Sequence, residues 1–458
     1  MTDRKLVAIV IDGLTPAMLE RAIETSSVPA LSYLAEHGAY RRAVTTFPSL
    51  TPVCLSSLAT GAHPDTHHIP HLVWYHGRER RVVEYGSSFG AIRAAGTTRS
   101  VRDAIFNMNG EHLADDAVTV FEALDDAGLV TAAVNMVCYR GRTPHRASVP
   151  GLTRTVLGPR RFFFFNLFES DVTGAPLAIR TRSGGSVDSY AASVGRWLVT
   201  RDGFDFFLYY LPDYDYASHS AGPEGAHAAL ARTDRAIAAL LDAAGGPDAF
   251  LERYAVLVCS DHGQTSVERA VRLEDALAGF SLFRRSSPDA ELVATASNRA
   301  GMVYRLPRCR AEVNELAELL DRDAAVDVVL YRDQDEAVAL RGGEELRFAR
   351  RDGTFTVRGD EAVLPYPDAL DRAWSALANP NAGDLIVTAP PGTEFVDLGG
   401  RHHAGGGSHG SLVAGDSEVP MLAVGLEPPS AITEVAPAVL TYFGVEPPIS
   451  MREVAHAA

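Results

Sequence analysis

The sequence predicts an α/β fold: a doubly wound, mostly parallel sheet flanked by helices, with an inserted α+β capping subdomain. Three observations predict it. Short apolar, β-branched runs recur along the chain and stop abruptly at a polar residue, as strands buried on both faces do. Between them lie segments with apolar residues at every third and fourth position, which is helical spacing. Several of the runs end in or just before Asp, and in sheets of this kind ligands bind beyond the carboxyl ends of the strands.

In chain order, Leu6–Ile11 reads as the first strand and stops at Asp12. Thr51-Pro52 followed by Val53–Ala59 reads as a helix start, because Thr is favoured at the N-cap and Pro at the first helical position. The stretch from His76 to Phe106 is rich in Arg and Gly and lacks a clear period, so it is either a loop or lid over the site or plain solvated surface. A helix over Val118–Ala127 leads into a strand over Leu129–Met136, and the aromatic run Phe162–Phe165 reads as a buried strand. Phe204–Leu211 is a strand that ends before Pro212-Asp213-Tyr214-Asp215. Glu224–Leu241 is a helix, and Tyr254–Cys259 is a strand that ends at Ser260-Asp261-His262. From Phe280 to Ser375 charges multiply and the strand-like pieces shorten (Gly301–Leu306, Ala325–Tyr331, Ala337–Leu340, Phe355–Val357). Leu385–Ala389 and Met421–Gly425 return to the buried-strand character. The expected division is a core formed by residues 1–279 and 376–458, interrupted by a capping part over 280–375.

Bulk properties narrow the function classes. A chain of 458 residues is too long for one small core, and 46% apolar residues describe an ordinary globular protein. A net charge of −16 argues against nucleic acid or an anionic membrane as partner. It does not weigh against a small phosphorylated substrate, because bound cations reverse the local field. The apolar run Leu6–Ile11 is too short for a signal-peptide core, and no stretch approaches the length of a membrane span. Cys54, Cys138, Cys259 and Cys309 are scattered without a CxxC pair, so reduced thiols in a cytoplasmic protein are expected. A leader absent from this sequence is the alternative.

Four short blocks carry metal-type side chains: Asp12 in Ile11-Asp12-Gly13, Asp215 and His219 in Asp215-Tyr216-Ala217-Ser218-His219, Asp261 and His262 in Ser260-Asp261-His262-Gly263, and His409 in Ser408-His409-Gly410. Three carboxylates and three imidazoles suit two divalent ions of zinc type, with manganese or iron as alternatives. Two such ions can hold the attacking and the leaving oxygen of a phosphoryl transfer. Thr51, at a helix N-terminus where free N–H groups favour an anion, is the candidate nucleophile. Thr45 and Thr46 are its rivals, Asp213 competes with Asp215, and His402 and His403 lie close to His409. Each block alone is weak; all of them, in this order and at strand ends, are hard to obtain by chance.

These blocks carry a family resemblance. The chain resembles the alkaline phosphatase superfamily and, within it, the nucleotide pyrophosphatase/phosphodiesterase branch. The resemblance rests on Val7–Gly13, Phe47–His68, Leu211–Pro223, Leu257–Gly263, Gly407–Gly425 and Ile432–Gly444. The run from Thr51 to Thr60-Gly61, then Pro64-Asp65-Thr66-His67, is similar to the family's nucleophile helix and the turn after it, and its spacing selects Thr51 over Thr46. Asp215–His219 through Gly222-Pro223 is similar to Asp-x-x-Gly-His-x-x-Gly-Pro, which selects Asp215 over Asp213.

The resemblance implies an alkaline phosphatase-like fold. It also implies one zinc held by Asp215, His219 and His409, and a second held by Asp12, Asp261 and His262 with Thr51 as its reactive ligand. Thr51 would then attack phosphorus to give a phospho-threonine intermediate. One departure stands out: family members carry an Asn that donates to a phosphate oxygen, and Leu72 stands at or near its position. His68 and His71 are candidate stand-ins, with Tyr75 close by. The expected activity is therefore hydrolysis of phosphodiester or nucleotide pyrophosphate bonds. The alternatives are a phosphomonoesterase or phosphonate hydrolase on the same core, and an inactive protein that binds nucleotides or a partner. A sulfatase is disfavoured, since no Cys or Ser begins a Cys-x-Pro-x-Arg-like motif near Thr51.

Overall fold

Alternation decides how the first strand is buried. In Lys5–Ile11 the side chains of Leu6, Ala8 and Val10 turn to one face and those of Val7, Ile9 and Ile11 to the other, and both sets are buried. A strand apolar on both faces must be covered twice, and at ~1.5–3 kcal/mol for each large aliphatic removed from water this burial is a main stabilising term. On one side lie the helix Thr51–Thr60, buried from Pro52 onward, and the helix Val435–Tyr442; on the other lie Pro16–Glu24, Pro29–Glu36, Val187–Thr200 and His227–Ala243. The computed structural model describes residues 4–149, 154–177, 185–284, 287 and 289–451.

Among the described residues eight strands make the main sheet: Lys5–Ile11 (β1), Ala39–Val44 (β2), Thr131–Val134 (β3), Arg161–Phe164 (β4), Phe168–Glu169 (β5), Phe206–Leu211 (β6), Tyr254–Cys259 (β7) and Glu418–Val424 (β8). Their order across the sheet is β2-β8-β7-β1-β6-β3-β4-β5. The central run β7-β1-β6-β3-β4 is parallel, as expected, while β8 runs antiparallel to both β7 and β2. Ile11 pairs with Leu211 and Val10 with Cys259, so β1, β6 and β7 end level with one another. That register places Asp12, the Pro212–Asp215 turn and Ser260-Asp261 along one edge of the sheet. Among the described residues no helix is long and apolar enough to cross a membrane.

Among the described residues a second sheet of seven strands is antiparallel throughout. It contains the four short strands read between Gly301 and Val357. It also takes Leu385–Thr388 into its middle, between Ala300–Arg305 and Val328–Asp333. This corrects the reading of Leu385–Ala389 as a core strand and carries the second sheet past residue 375. The cause is compositional: Leu-Ile-Val-Thr at the centre of an antiparallel sheet covered on both faces looks like a parallel core strand. The helix expected over Glu224–Leu241 is a 3₁₀ turn, Pro223–Ala226, followed by His227–Ala243. The His76–Phe106 stretch is not a loop: it holds a hairpin strand, Arg81–Glu84, and the helices Phe89–Ala95 and Thr97–Arg102.

Candidate metal centre

Each of the six expected ligands is brought to its place by a strand end. Asp12 follows β1 directly and Asp261 follows β7 after Ser260, and Asp215 lies in the first turn of the helix Asp213–Ala221 after β6, with His219 one turn on. His409 follows the two-residue strand Gly407–Ser408, which pairs with Thr265-Ser266 just beyond the Asp261-His262 block. The close approach needs glycine at two points. Gly13 has a φ of +70°, and a Cβ there would lie 2.7 Å from Asp215 Oδ1; a Cβ on Gly406 would collide with the His219 carbonyl.

Two groups result, Asp215 with His219 and His409, and Asp12 with Asp261 and His262; within each group the candidate ligand atoms lie within 4.8 Å of one another. His219 Nε2 is 3.2 Å from Asp215 Oδ2, and His262 Nε2 is 3.3 Å from Asp12 Oδ1 and 3.4 Å from Asp261 Oδ2. The rings of His262 and His409, one from each group, stack at 3.6 Å. All three imidazoles turn Nδ1 to a backbone carbonyl: His219 to Gly407 at 2.8 Å, His262 to Gly263 at 3.0 Å and His409 to Ser49 at 2.7 Å. With Nδ1 donating, Nε2 is left as a lone pair facing the group, the arrangement that orients an imidazole for a cation. Tyr210 donates its hydroxyl to Asp12 Oδ2, and the Gln264 amide donates to Asp215 Oδ1.

Electrostatics make these groups costly without a positive charge. Asp12 is pushed well above the usual carboxylate range by burial, then by the charges of Asp261 and Asp215. Asp261 is raised as well, by burial first, against the pull of His262. Burial acts the same way on Asp215, but His219, His409 and His262 outweigh it and hold that carboxyl below its normal range. Burial and the neighbouring His262 push His409 well below the usual imidazole range, so it is neutral, the form that ligates. Asp12 Oδ1 and Asp261 Oδ2 are enclosed with no hydrogen-bond partner among the described residues, although His262 Nε2 faces both. Three acceptor atoms converging in a dry place is the chemistry of a cation site, so this residue set fits two divalent ions.

Thr51 is the first residue of its helix, not the N-cap expected; Leu50 takes the cap and Pro52 the second position. The Thr51 hydroxyl is therefore not used to cap the helix, and its Oγ1 lies 3.1 Å from His262 Nε2. The rivals are occupied elsewhere. Asp213 accepts the backbone N–H groups of Val187 and Asp188, Thr45 donates to the Asp261 carbonyl, and Thr46 lies against Cys54.

Thr51, Asp12, Asp215, His219 and His409 open onto a cleft of about 750 Å³, with Asp261 and His262 fully buried behind them. His68, His71 and Tyr75 do not line it, which corrects their reading as substrate contacts. His68 faces a separate pocket beside Trp74 and His112, His71 is buried with Nδ1 accepting from Val73 N, and Tyr75 packs against Phe283 and Tyr304. The chain turns away after the short helix Pro64–His67, so nearness in sequence does not carry into space. Leu72 does reach the cleft, and so do Tyr85 to Gly90 from the supposed lid.

Sequence reasoning missed Tyr210, Gln264, Asn298 and Arg401, and treated His403 only as a decoy. Gln264 was the legible one, directly after the Ser260–Gly263 block. His403 stacks on His219 at 4.1 Å and pairs through Nδ1 with the buried Glu394 at 3.0 Å.

Comparison with known proteins bears on this arrangement. The family model for type I phosphodiesterase / nucleotide pyrophosphatase matches residues 6–412. No curated protein matches the chain. Among solved structures, phosphonoacetate hydrolase from Sinorhizobium meliloti, in complex with phosphonoformate, superposes with a TM-score of 0.59 at 18% identity, covering 96% of this chain and 95% of that one. Murine ectonucleotide pyrophosphatase/phosphodiesterase 5 gives 0.59 at 12% identity over 97% and 96%. An inactive variant of the same mouse protein, in complex with AMP, gives 0.60 at 12% identity with the same coverage.

Proposed function

Since the chain belongs to the type I phosphodiesterase / nucleotide pyrophosphatase family, we propose that it hydrolyses phosphodiester or nucleotide pyrophosphate bonds through Thr51. One observation carries the proposal: the Thr51 hydroxyl, at the mouth of a helix, sits 3.1 Å from His262 beside the stacked rings that join the two ligand groups. Asp215, His219 and His409 would hold one ion, and Asp12, Asp261 and His262 the other. Zinc is the proposed metal, with manganese or iron as alternatives. When bound, two such ions supply positive charge opposite the phosphoryl oxygens and acidify a neighbouring hydroxyl or water.

The protein's own part follows from the geometry. The three Nδ1 bonds hold each imidazole in one tautomer, and Tyr210 and Gln264 aim two of the carboxylates. Helix N-terminal N–H groups favour negative charge where Thr51 Oγ1 lies. Thr51 Oγ1 attacks phosphorus as the bond to the leaving oxygen breaks, which leaves a phospho-threonine. Water then attacks the same phosphorus, regenerates Thr51 and releases phosphate or a phosphomonoester. The cleft is larger than a phosphate needs, so the rest of a small ester, a nucleotide among them, has room. The AMP complex of the mouse protein supports a nucleotide as one such ester.

Two measurements test this. On p-nitrophenyl phosphate, bis-p-nitrophenyl phosphate, p-nitrophenyl sulfate and a phenylphosphonate ester, the diester is expected to lead by about tenfold or more in kcat/KM. A dominant monoester or phosphonate rate would replace the diesterase reading with that one, and no turnover of any of them would make the protein a binder. Exhaustive chelation is expected to abolish turnover and to lower the melting temperature, because it leaves buried carboxylates uncompensated. Zinc should restore both; full activity after complete metal removal would refute the two-ion reading.

A further inference from the structure

In phosphoryl transfer, charge spreads over the equatorial oxygens, and a donor aimed at an oxygen the cations leave exposed is worth more in a dry site than in water. We propose that Asn298, delivered by the second sheet, is that donor and contacts the substrate phosphoryl group; this rests on the phosphoryl-transfer reading above. Asn298 lies at the turn between the strands Leu292–Ser297 and Ala300–Arg305, 7% exposed, and lines the same cleft as Thr51 and His409. Its Nδ2 lies 2.9 Å from His409 Nε2, the atom turned towards the first ligand group. An amide nitrogen carries two N–H bonds, so a second remains for a ligand in the cleft. A cation taken by His409 Nε2 would leave both available.

The turn itself is built to hold this side chain in place. Asn298 has a φ of +57°, a left-handed conformation that costs energy and persists only where neighbours fix it. Phe395 N donates to the Asn298 carbonyl at 2.6 Å, and Arg299 N donates to the His409 carbonyl at 2.8 Å. The Arg299 guanidinium, fully buried, is clamped by both oxygens of Asp416 at 3.0 and 3.1 Å. Other donors at the cleft are less suited. The Tyr210 hydroxyl is already given to Asp12, Leu72 is apolar, and Arg401 is exposed on an outer loop.

The test uses zinc-loaded full-length enzyme and Asn298→Ala, with Asn298→Asp as a second variant. Zinc content, melting temperature, kcat and KM on the preferred ester, and calorimetric affinity for orthovanadate are measured on each. Asn298→Ala is expected to keep both zinc ions, to melt slightly lower because Ala fits the left-handed turn less well than Asn, to lose about 10²-fold in kcat with little change in KM, and to bind vanadate about 10²-fold more weakly. The Asp variant, which adds negative charge against the phosphoryl oxygen, should lose more on both counts. A fall in zinc content, with kcat recovering at saturating zinc, would make Asn298 a brace for His409 and overturn the proposal. Unchanged kcat and unchanged vanadate affinity would overturn it as well. If wild type turns over no ester, the functional reading fails by itself, and the vanadate affinities of wild type and variant still decide the role of Asn298.

Discussion

Thr51→Ala should lower kcat on the preferred phosphoester by at least about 10⁴-fold, the scale seen when a covalent nucleophile is removed. Stability should hardly change. Thr51 is the first helical residue, its side chain is not the helix cap, and among the described residues its one side-chain hydrogen bond is to His262. The six imidazole and carboxylate groups are untouched, so zinc content should stay at two per chain. Acid-quenched mixtures with labelled substrate should show protein-bound phosphate in wild type and none in the variant. Thr51→Ser, which keeps the hydroxyl, should retain a measurable part of the activity. Near-normal turnover by the Ala variant would place the nucleophile elsewhere.

The largest expected loss of stability lies outside the ligands. Asp416 and Arg299 are both fully buried, and Asp416 also accepts Thr265 Oγ1 at 2.8 Å, Ser411 N at 3.0 Å and Ser411 Oγ at 2.7 Å. Its backbone carbonyl accepts Gly263 N at 3.0 Å, so one residue ties the second-sheet turn to the loops around His262 and His409. Asp416→Ala strands a buried guanidinium and should cost about 3–5 kcal/mol in urea unfolding, with zinc affinity falling alongside. The double change Arg299→Met with Asp416→Leu removes both charges and should recover much of the unfolding free energy. Loss under ~1 kcal/mol for Asp416→Ala would show that the pair is solvated.

Legibility in the sequence followed burial. β1, β6 and β7 could be read almost to the residue, because strands enclosed on both faces are unbroken apolar runs that stop abruptly within a few residues of a candidate ligand. β2 escaped, since Ala-Tyr-Arg-Arg-Ala-Val is mostly exposed at the sheet edge. Among the six candidate ligands Asp261 and His262 stood out most, because an adjacent Asp and His at a strand end have little structural reason to be there, whereas Asp12, Asp215, His219 and His409 stood out only as part of the set. Asn298 was not: an Asn in a hairpin turn reads as ordinary turn chemistry, and its contact with His409 spans 111 residues. His68, His71 and Tyr75 failed for the opposite reason, being near Thr51 in sequence while the chain turns their side chains away from the cleft.

The pairing of Gly407–Ser408 with Thr265-Ser266 has a consequence for biosynthesis. Five of the six candidate ligands and Thr51 have left the ribosome long before the sixth, His409, is translated. Until then Asp215 and His219 lack the third member of their group, whereas Asp12, Asp261 and His262 are already all present. The arrangement as a whole therefore comes together only late in synthesis.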